Sequence, residues 1–337
     1  MSQPSVSVLM STYNGSKYIR EQIESILNQK GVDVKLLIRD DGSKDDTIAI
    51  CREYEKQYPN VSVYQGENLG VGKSFLELLR KAPEADYYSF ADQDDFWLEE
   101  KLIRAVTMIQ EAEAKDLSQD IGEGYPITSD TLLHREASAD KNRVPVLYGS
   151  NLIRVDEQLQ VKGKRFDGIP KCDLYSSITR NVIYGCTMVM NGSLREVCNK
   201  AGIVSDQVLR RKNHDGWVLY LAYISGVFLY DTESCIHYRE HSNQVVGIEE
   251  LKGKDLLLDR VHRLTQAKNK GVRSTLAKEL LQKMPGAVKP RVKRHLETLR
   301  DANSVKGSIS LIKDKELAAS FGEKKSMIVL RGLLRWI

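Results

Sequence analysis

The sequence predicts an α/β fold built on a mainly parallel, doubly wound sheet. Three observations carry this. Apolar runs of strand length alternate with amphipathic helical segments over residues 5–110. Each of the four predicted strands runs directly into a polar segment, at Ser11–Asn14, Asp40–Asp46, Asn68–Lys73 and Asp92–Asp95. In open α/β sheets ligands bind beyond the carboxyl ends of the strands, so these four segments are where chemistry is expected. Finally, 337 residues with 41% apolar and 28% charged content suit one α/β domain of ordinary size with an extension.

The elements follow in order. SVSVLM (Ser5–Met10) reads as a buried strand, and SKYIREQIESILNQ carries Tyr18, Ile19, Ile23, Ile26 and Leu27 at helical spacing. VKLLIRDD is a second strand, and DGSKDDT turns into the helix TIAICREYEKQY with Asp45 or Asp46 as its cap. VSVYQG is a third strand and GVGKSFLELLRKA a third helix. DYYSFAD is the fourth strand, followed by a helix that starts near WLEEKLIRAV. Residues 111–173 are rich in Gly, Asp and Tyr and read as irregular loops over a site. NVIYGCTMVMNGSL returns to strand then helix, NHDGWVLYLAYISG continues as an apolar helix, and GVFLYDTESCIHYREHSNQVVG is a strand with a polar tail. From about Glu249 the chain reads as Lys-, Arg- and Leu-rich helices.

Composition excludes several classes. The five cysteines are scattered with no CxxC pair, which points to reduced thiols in a cytosolic protein. The N-terminal segment lacks the pattern of a signal peptide, and no run of about 18 apolar residues exists to span a membrane. Charge is unevenly spread. Residues 251–337 hold 21 Lys+Arg against 8 Asp+Glu, while the rest of the chain is acidic. That asymmetry suggests a body and a basic arm that attracts phosphate, as nucleic acid or as anionic lipid. The acidic body carries no recognisable nucleic-acid module, so no nucleic acid is expected.

The carboxylates come next. Asp92, Asp94 and Asp95 crowd into four positions, where like charges repel. Asp92 and Asp94 alternate at a strand end and can converge on one cation, Mg²⁺ or Mn²⁺, with Asp95 turned aside. The plainer reading is a solvated turn capping the next helix. Asp40 and Asp41, at the second strand end, can accept from a base or a ribose hydroxyl. Ser11, Thr12 and Asn14 offer polar groups, and Tyr13 a stacking face. No GxGxxG or Walker sequence is present, although Asn68 and Lys73 flank a helix start suited to a diphosphate. Asp215 in HDGW is either a helix cap or a general base. His237 and His241, beside Arg239, suit phosphate or metal contact. At the end of the chain, Arg331 and Arg335 with Leu330, Leu333, Leu334, Trp336 and Ile337 form a basic amphipathic helix for a lipid interface, or a packing surface.

SVLMSTYNGSKYIREQIESILNQ, IRDDGSKDDT, ENLGVGKSF and FADQDDFW together resemble the nucleotide-sugar-binding half of family 2 glycosyltransferases, which have the GT-A fold. YGCTMVMN, HDGW and YREHSNQVVG extend the resemblance over residues 1–247. It implies a Rossmann-like catalytic domain at 1–247, with a nucleotide-sugar half at 1–110 and an acceptor half at 111–247. A basic helical region follows at 248–337, for membrane attachment or oligomerisation as a homodimer. It implies that DQD is the DxD metal motif, with Asp94 the metal ligand and Asp92 and Gln93 near the donor. Asp215 matches the catalytic base and His241, with His237 as alternative, a second metal contact. Asp95, Trp97, Gly185, Cys186, Thr187, His214, Trp217 and Arg239 fall in the matching motifs as further site residues. DQDDFW with YRxHxxNxxG is similar to bacterial rhamnosyltransferases of cell-wall and capsular polysaccharide synthesis. The implied reaction is inverting, metal-dependent transfer from a dTDP- or UDP-sugar to a lipid-linked glycan at the inner face of the cell membrane. A UDP-hexose donor and a non-catalytic nucleotide-sugar-binding scaffold are the alternatives.

Overall fold

A computed structural model describes residues 3–133, 144–241, 270–321, 325–334 and 337. The first half follows the β/α alternation: β1 (Ser5–Thr12), α1 (Ile19–Leu27), β2 (Asp33–Asp40), α2 (Thr47–Gln57), β3 (Val61–Gln65), α3 (Val71–Lys81), β4 (Tyr87–Ala91), β5 (Phe96–Trp97) and α4 (Lys101–Glu113). β6 (Pro126–Ile127), α5 (Ser129–Leu133), β7 (Val146–Ser150), β8 (Ile153–Val155), β9 (Val161–Lys164) and α6 (Leu174–Thr179) come next. A single 3₁₀ turn, Gly185–Thr187, leads into β10 (Val189–Asn191), α7 (Gly192–Ala201), α8 (Asp206–Ser225), β11 (Val227–Asp231) and β12 (Ile236–Arg239). The helices α9 (Val272–Lys283), α10 (Pro290–Arg300), α11 (Val305–Lys313), α12 (Lys315–Ser320) and α13 (Lys325–Leu333) complete the described chain.

The central sheet has the order β3-β2-β1-β4-β10-β7-β11-β6. Its pairs are parallel except where β10 lies antiparallel to both β4 and β7. Strands β1 and β4 are buried on both faces, as parallel strands covered by helices must be. A smaller sheet, β5-β12-β8-β9, stands beside the carboxyl ends of β1 and β4.

Residues 111–173 depart from the loop reading. VLYGS, read there as loop, is β7, a fully buried strand in the middle of the central sheet. It is five residues long and buried on both faces, so it shows no alternation to reveal it. Gly149 also removes a side chain where space is short, since a Cβ there would lie 2.9 Å from Ile183 and Phe228.

The C-terminal helices share one apolar cluster with the sheet. Leu276, Leu280, Leu296, Leu311, Ile328 and Ile337 are buried in the same cluster as Trp217, Leu221 and Leu147. Polar contacts add to this, mostly at the surface, with His295 itself buried. Arg291 donates to Tyr125 Oη (2.6 Å) and pairs with Glu316, Lys289 meets Glu123 at 2.6 Å, and His295 meets Asp314 at 3.1 Å. Ile328 and Ile337 therefore pack inward, while Leu334 is 52% exposed. Arg335 and Trp336, and residues 242–247 of the late polar motif, lie outside the described residues.

Candidate functional site

A cleft of about 720 Å³ opens where the central sheet's strand ends meet the smaller sheet. At the end of β1, Ser11 hydrogen-bonds Ser74 across 2.6 Å. Tyr13 is 45% exposed and borders the cleft, its backbone clasped on both sides by the Gln93 amide, which accepts from Tyr13 N (2.9 Å) and donates to Tyr13 O (3.1 Å). Asn14 holds the left-handed backbone (φ 48°) that Asn tolerates better than most residues. Its Oδ1 accepts from Lys44 N at 2.8 Å.

The second strand end splits its two carboxylates by role. Asp40 is fully buried and accepts from Thr12 Oγ1 (3.1 Å), Gly42 N (3.1 Å) and Ser43 N (2.9 Å). It holds the loop together and is absent from the cleft wall. Asp41 borders the cleft, paired with buried Arg39 and accepting from Leu69 N (2.8 Å) and Gly70 N (2.9 Å). Arg39 also donates to Glu67 O at 2.8 Å, so one buried ion pair organises the turn before α3. Asn68 borders the cleft. Lys73 points elsewhere, pairing with Asp206 at 2.7 Å.

The acidic cluster is divided in the same way. Asp92 and Asp94 border the cleft, and Asp94 Oδ2 lies 2.9 Å from His241 Nε2. His237 does not join them: it sits half-buried on β12 near Phe96. Arg239 is 2% exposed and ties the cluster down. It donates from Nε to Asp94 O (2.9 Å), from its guanidinium to Glu157 O and Glu21, and from its backbone N to Asp95 Oδ1 (3.3 Å). Asp95 is fully buried, and its carboxylate lies within 4.8 Å of those of Asp92 and the Cys186 thiol. Burial pushes Asp95 and Cys186 upward from their ordinary values. It pushes Asp92 up to about 7, with repulsion from Asp94 and Asp215 adding to the effect. Trp97 lies in the core beneath the Lys101 ammonium, 3.5 Å from its ring centre.

Asp215 owes its position to a break in α8. Asn213 has φ 50° and ψ −171°, so the helix restarts at His214 and Asp215 falls in a fresh first turn. Its carboxylate accepts from Gly216 N at 2.7 Å and from the Gly185 backbone. It is only 7% exposed, and burial pushes it up to about 6. His214 stacks on Phe75 (ring centres 4.0 Å apart) and meets Phe90 edge-on, and burial holds it down at about 3, so the ring is neutral at pH 7. Gly185 is required here, because a Cβ would stand 2.5 Å from His214 Nε2. Thr187 and Trp217 are buried and brace the turn, donating to Tyr184 O (2.8 Å) and Gly202 O (3.2 Å).

Several cleft residues were not singled out from the sequence: Tyr18, Glu157, Asn181, Tyr184, Asn213 and Tyr238. Tyr184 and Tyr238 stand in the quoted motifs YGCTMVMN and YREHSNQVVG, and Asn213 directly precedes HDG, a place where Asn, enriched at positive φ, is itself a signal. The donor set fits a hard divalent cation. Asp94 and His241 converge, and the carboxylate of Asp92 is crowded by the further anions Asp94 and Asp215.

The sequence profile of "Glycosyl transferase family 2" matches residues 7–177, just over half of the chain. The chain belongs to glycosyl transferase family 2. Among its relatives is "dTDP-rhamnosyl transferase RfbG" of Shigella flexneri, 35% identical over 134 residues, which is 38% of this chain and 46% of that protein. "Putative teichuronic acid biosynthesis glycosyltransferase TuaG" of Bacillus subtilis is 34% identical over 110 residues, 32% of this chain and 43% of that one. "Uncharacterized glycosyltransferase RT0329" of Rickettsia typhi is 25% identical over 244 residues, 72% of this chain and 66% of that one. This family 2 chain thus spans less than two-thirds of the length of the curated relatives it matches. Among solved structures, S. aureus TarS 1-349 in complex with UDP superposes with a TM-score of 0.51 at 16% identity, covering 88% of this chain and 69% of that one. The fold is the GT-A fold expected from the motifs, a mainly parallel sheet flanked by helices with a helical C-terminal region.

Proposed function

We propose that the protein is an inverting glycosyltransferase that moves a sugar from a nucleoside diphosphate to a glycan hydroxyl in surface polysaccharide synthesis. One observation carries this reading. The Asp94–His241 pair and the buried carboxylate of Asp215 face a single cleft beside the β1 and β2 strand ends. Tyr13 provides an exposed face for the base, and Asp41, already neutralised by Arg39, holds the α3 turn so that its backbone meets the nucleotide. Asp94 and His241 would hold Mg²⁺ or Mn²⁺, which supplies neutralisation of the charge on the departing diphosphate. Asp215 takes the proton of the acceptor hydroxyl. The freed oxygen attacks the anomeric carbon from the face opposite the diphosphate, which leaves with the bonding electron pair. One displacement inverts the anomeric centre.

The preferred donor is dTDP-β-L-rhamnose, giving an α-L-rhamnoside. The motif similarity and the Shigella flexneri relative support it. A thermal-shift screen with Mn²⁺ present tests this, since a ligand that binds the folded state alone raises its apparent stability. dTDP-rhamnose should raise the melting temperature above dTDP alone. A shift with UDP-hexoses and none with dTDP-rhamnose would replace the donor assignment.

The acceptor is read as a lipid-linked glycan, with the protein peripheral on the inner face of the cell membrane. Supporting this, the outer side of α11 presents Val305 and Ile309, 59% and 46% exposed, among Lys306 and Lys313. No described helix is long and apolar enough to cross a membrane. Replacing Lys306 and Lys313 together by Glu should lower binding to phosphatidylglycerol vesicles by tenfold or more, at about 1 kcal/mol per basic residue near an anionic surface. Unchanged sedimentation with the vesicles would remove α11 from the interface.

A further inference from the structure

We infer that Asn181, Tyr184 and Asn213 form a subsite for a neutral sugar ring, the unit that presents its hydroxyl to Asp215. This rests on the glycosyltransferase reading and adds to it the residues that hold the acceptor sugar and the charge class of that sugar. All three residues line the cleft together with Asp215.

The two amides are prepared for a ligand in different ways. Lys212 is 4% exposed, and its ammonium donates to Ser177 O (3.0 Å) and to Asn181 Oδ1 (3.3 Å). The Asn181 oxygen is thereby engaged, and its NH₂ group remains for an outside acceptor. The Asn213 side chain has no hydrogen-bond partner among the described residues, although the residue is half-buried in the cleft wall. Its backbone stands at φ 50° in the middle of α8, a conformation that costs an L-residue energy and collects at functional sites. Helix α3 packs against that break at Gly72, where a Cβ would make an ordinary contact, 3.6 Å from Asn213 Cα. The break carries Asn213 and Asp215 into the same cleft.

Tyr184 completes the set. Arg165 covers its ring at 3.6 Å and Tyr238 packs at 5.5 Å, fixing its orientation, while the remainder borders the cleft. An aromatic ring beside amides matches the apolar C–H face and the hydroxyl edge of a pyranose. The three subsite side chains carry no formal charge, and the two neighbouring cations are already engaged, Lys212 by Ser177 O and Asn181 Oδ1 and Arg165 by Val182 O and the Tyr184 ring, which favours a neutral acceptor.

The test separates the amide of Asn213 from its backbone. Glycine adopts positive φ at no steric cost, so Asn213→Gly keeps the break and removes only the side chain. Transfer is measured as nucleoside diphosphate released above hydrolysis. The donors are dTDP-rhamnose or UDP-glucose. The acceptors are methyl α-L-rhamnoside, methyl β-D-glucoside, methyl N-acetyl-β-D-glucosaminide and, as the charged control, glycerol 3-phosphate. At least one methyl glycoside should accelerate release by the wild type. Asn213→Gly should keep the melting temperature and the donor KM, and lose roughly five- to fifteenfold in acceptor kcat/KM, the effect of one hydrogen bond. Asn181→Ala should lose a similar factor, again with donor KM unchanged. Acceptor kcat/KM within twofold of wild type in both variants overturns the subsite, as does acceleration by glycerol 3-phosphate and by none of the glycosides. If the wild type shows no thermal shift with any nucleotide sugar, the glycosyltransferase reading itself fails.

Discussion

Asp215→Asn should lower kcat about 10²- to 10⁴-fold, the range typical of a lost general base, with donor binding retained. The substitution keeps shape and one acceptor oxygen for Gly216 N. Stability should rise rather than fall at pH 7, and the sign follows from linkage. Burial raises the folded-state pKa of Asp215 to about 6, above its ordinary carboxylate value. Between those two values the folded state holds a proton that the unfolded state has lost, so stability declines as pH rises through that window. Above about 6 the decline is complete, and removing the charge restores what was lost. The wild-type kcat/KM should climb with pH through about 6, because the base works only when ionised. Substantial turnover by Asp215→Asn, or a rate flat from pH 5 to 7, would sink the assignment. A lower melting temperature would mean that the variant reports misfolding.

Asp94→Ala should cost at least about a hundredfold in kcat/KM, the order expected when several kcal/mol of charge stabilisation disappear. His241 also loses its 2.9 Å contact with Asp94 in this variant, so the second ligand is disturbed as well. EDTA should silence the wild type and Mn²⁺ or Mg²⁺ should restore it, with Asp94→Ala needing far more metal for half-activation. His237→Ala should behave nearly as wild type, because that ring stays outside the cleft. Full activity in EDTA would show that leaving-group charge is met without a metal, and Asp94 would then need another role.

The sequence made the β1–β4 half legible because its strands and helices bury one face or two in a regular period. Helix α3, for example, places Phe75, Leu76, Leu78 and Leu79 inward. The order of polar strand ends located the cleft for the same reason. What it could not resolve was direction. Asp40 and Asp41 are neighbours of identical chemistry, and only the fold turns one into the loop and the other toward the cleft. Lys73 has the composition of a phosphate ligand but is engaged by Asp206, a residue 133 positions away. Gln93 is expected near the donor, but its amide is taken up on both sides by the Tyr13 backbone. The Asp94–His241 contact joins residues 147 positions apart, a pairing that no local period encodes and that entered through resemblance. Strand β7 stayed hidden because a short strand buried on both faces looks like any apolar fragment of a loop.

The order of strands in the central sheet also bears on how the chain is made. Strand β4 ends at Ala91, yet its outer neighbour β10 begins only at Val189. During synthesis at about 5–20 residues per second, roughly 100 residues must emerge in between. For several seconds, then, β4 offers unpaired amides and carbonyls on one side, next to the apolar side chains of Tyr88 and Phe90. An exposed, apolar strand edge invites pairing with another chain. The nascent polypeptide should be most vulnerable to aggregation in that interval, and ribosome-bound chains stalled near residue 150 should bind holdase chaperones more strongly than chains stalled beyond residue 240.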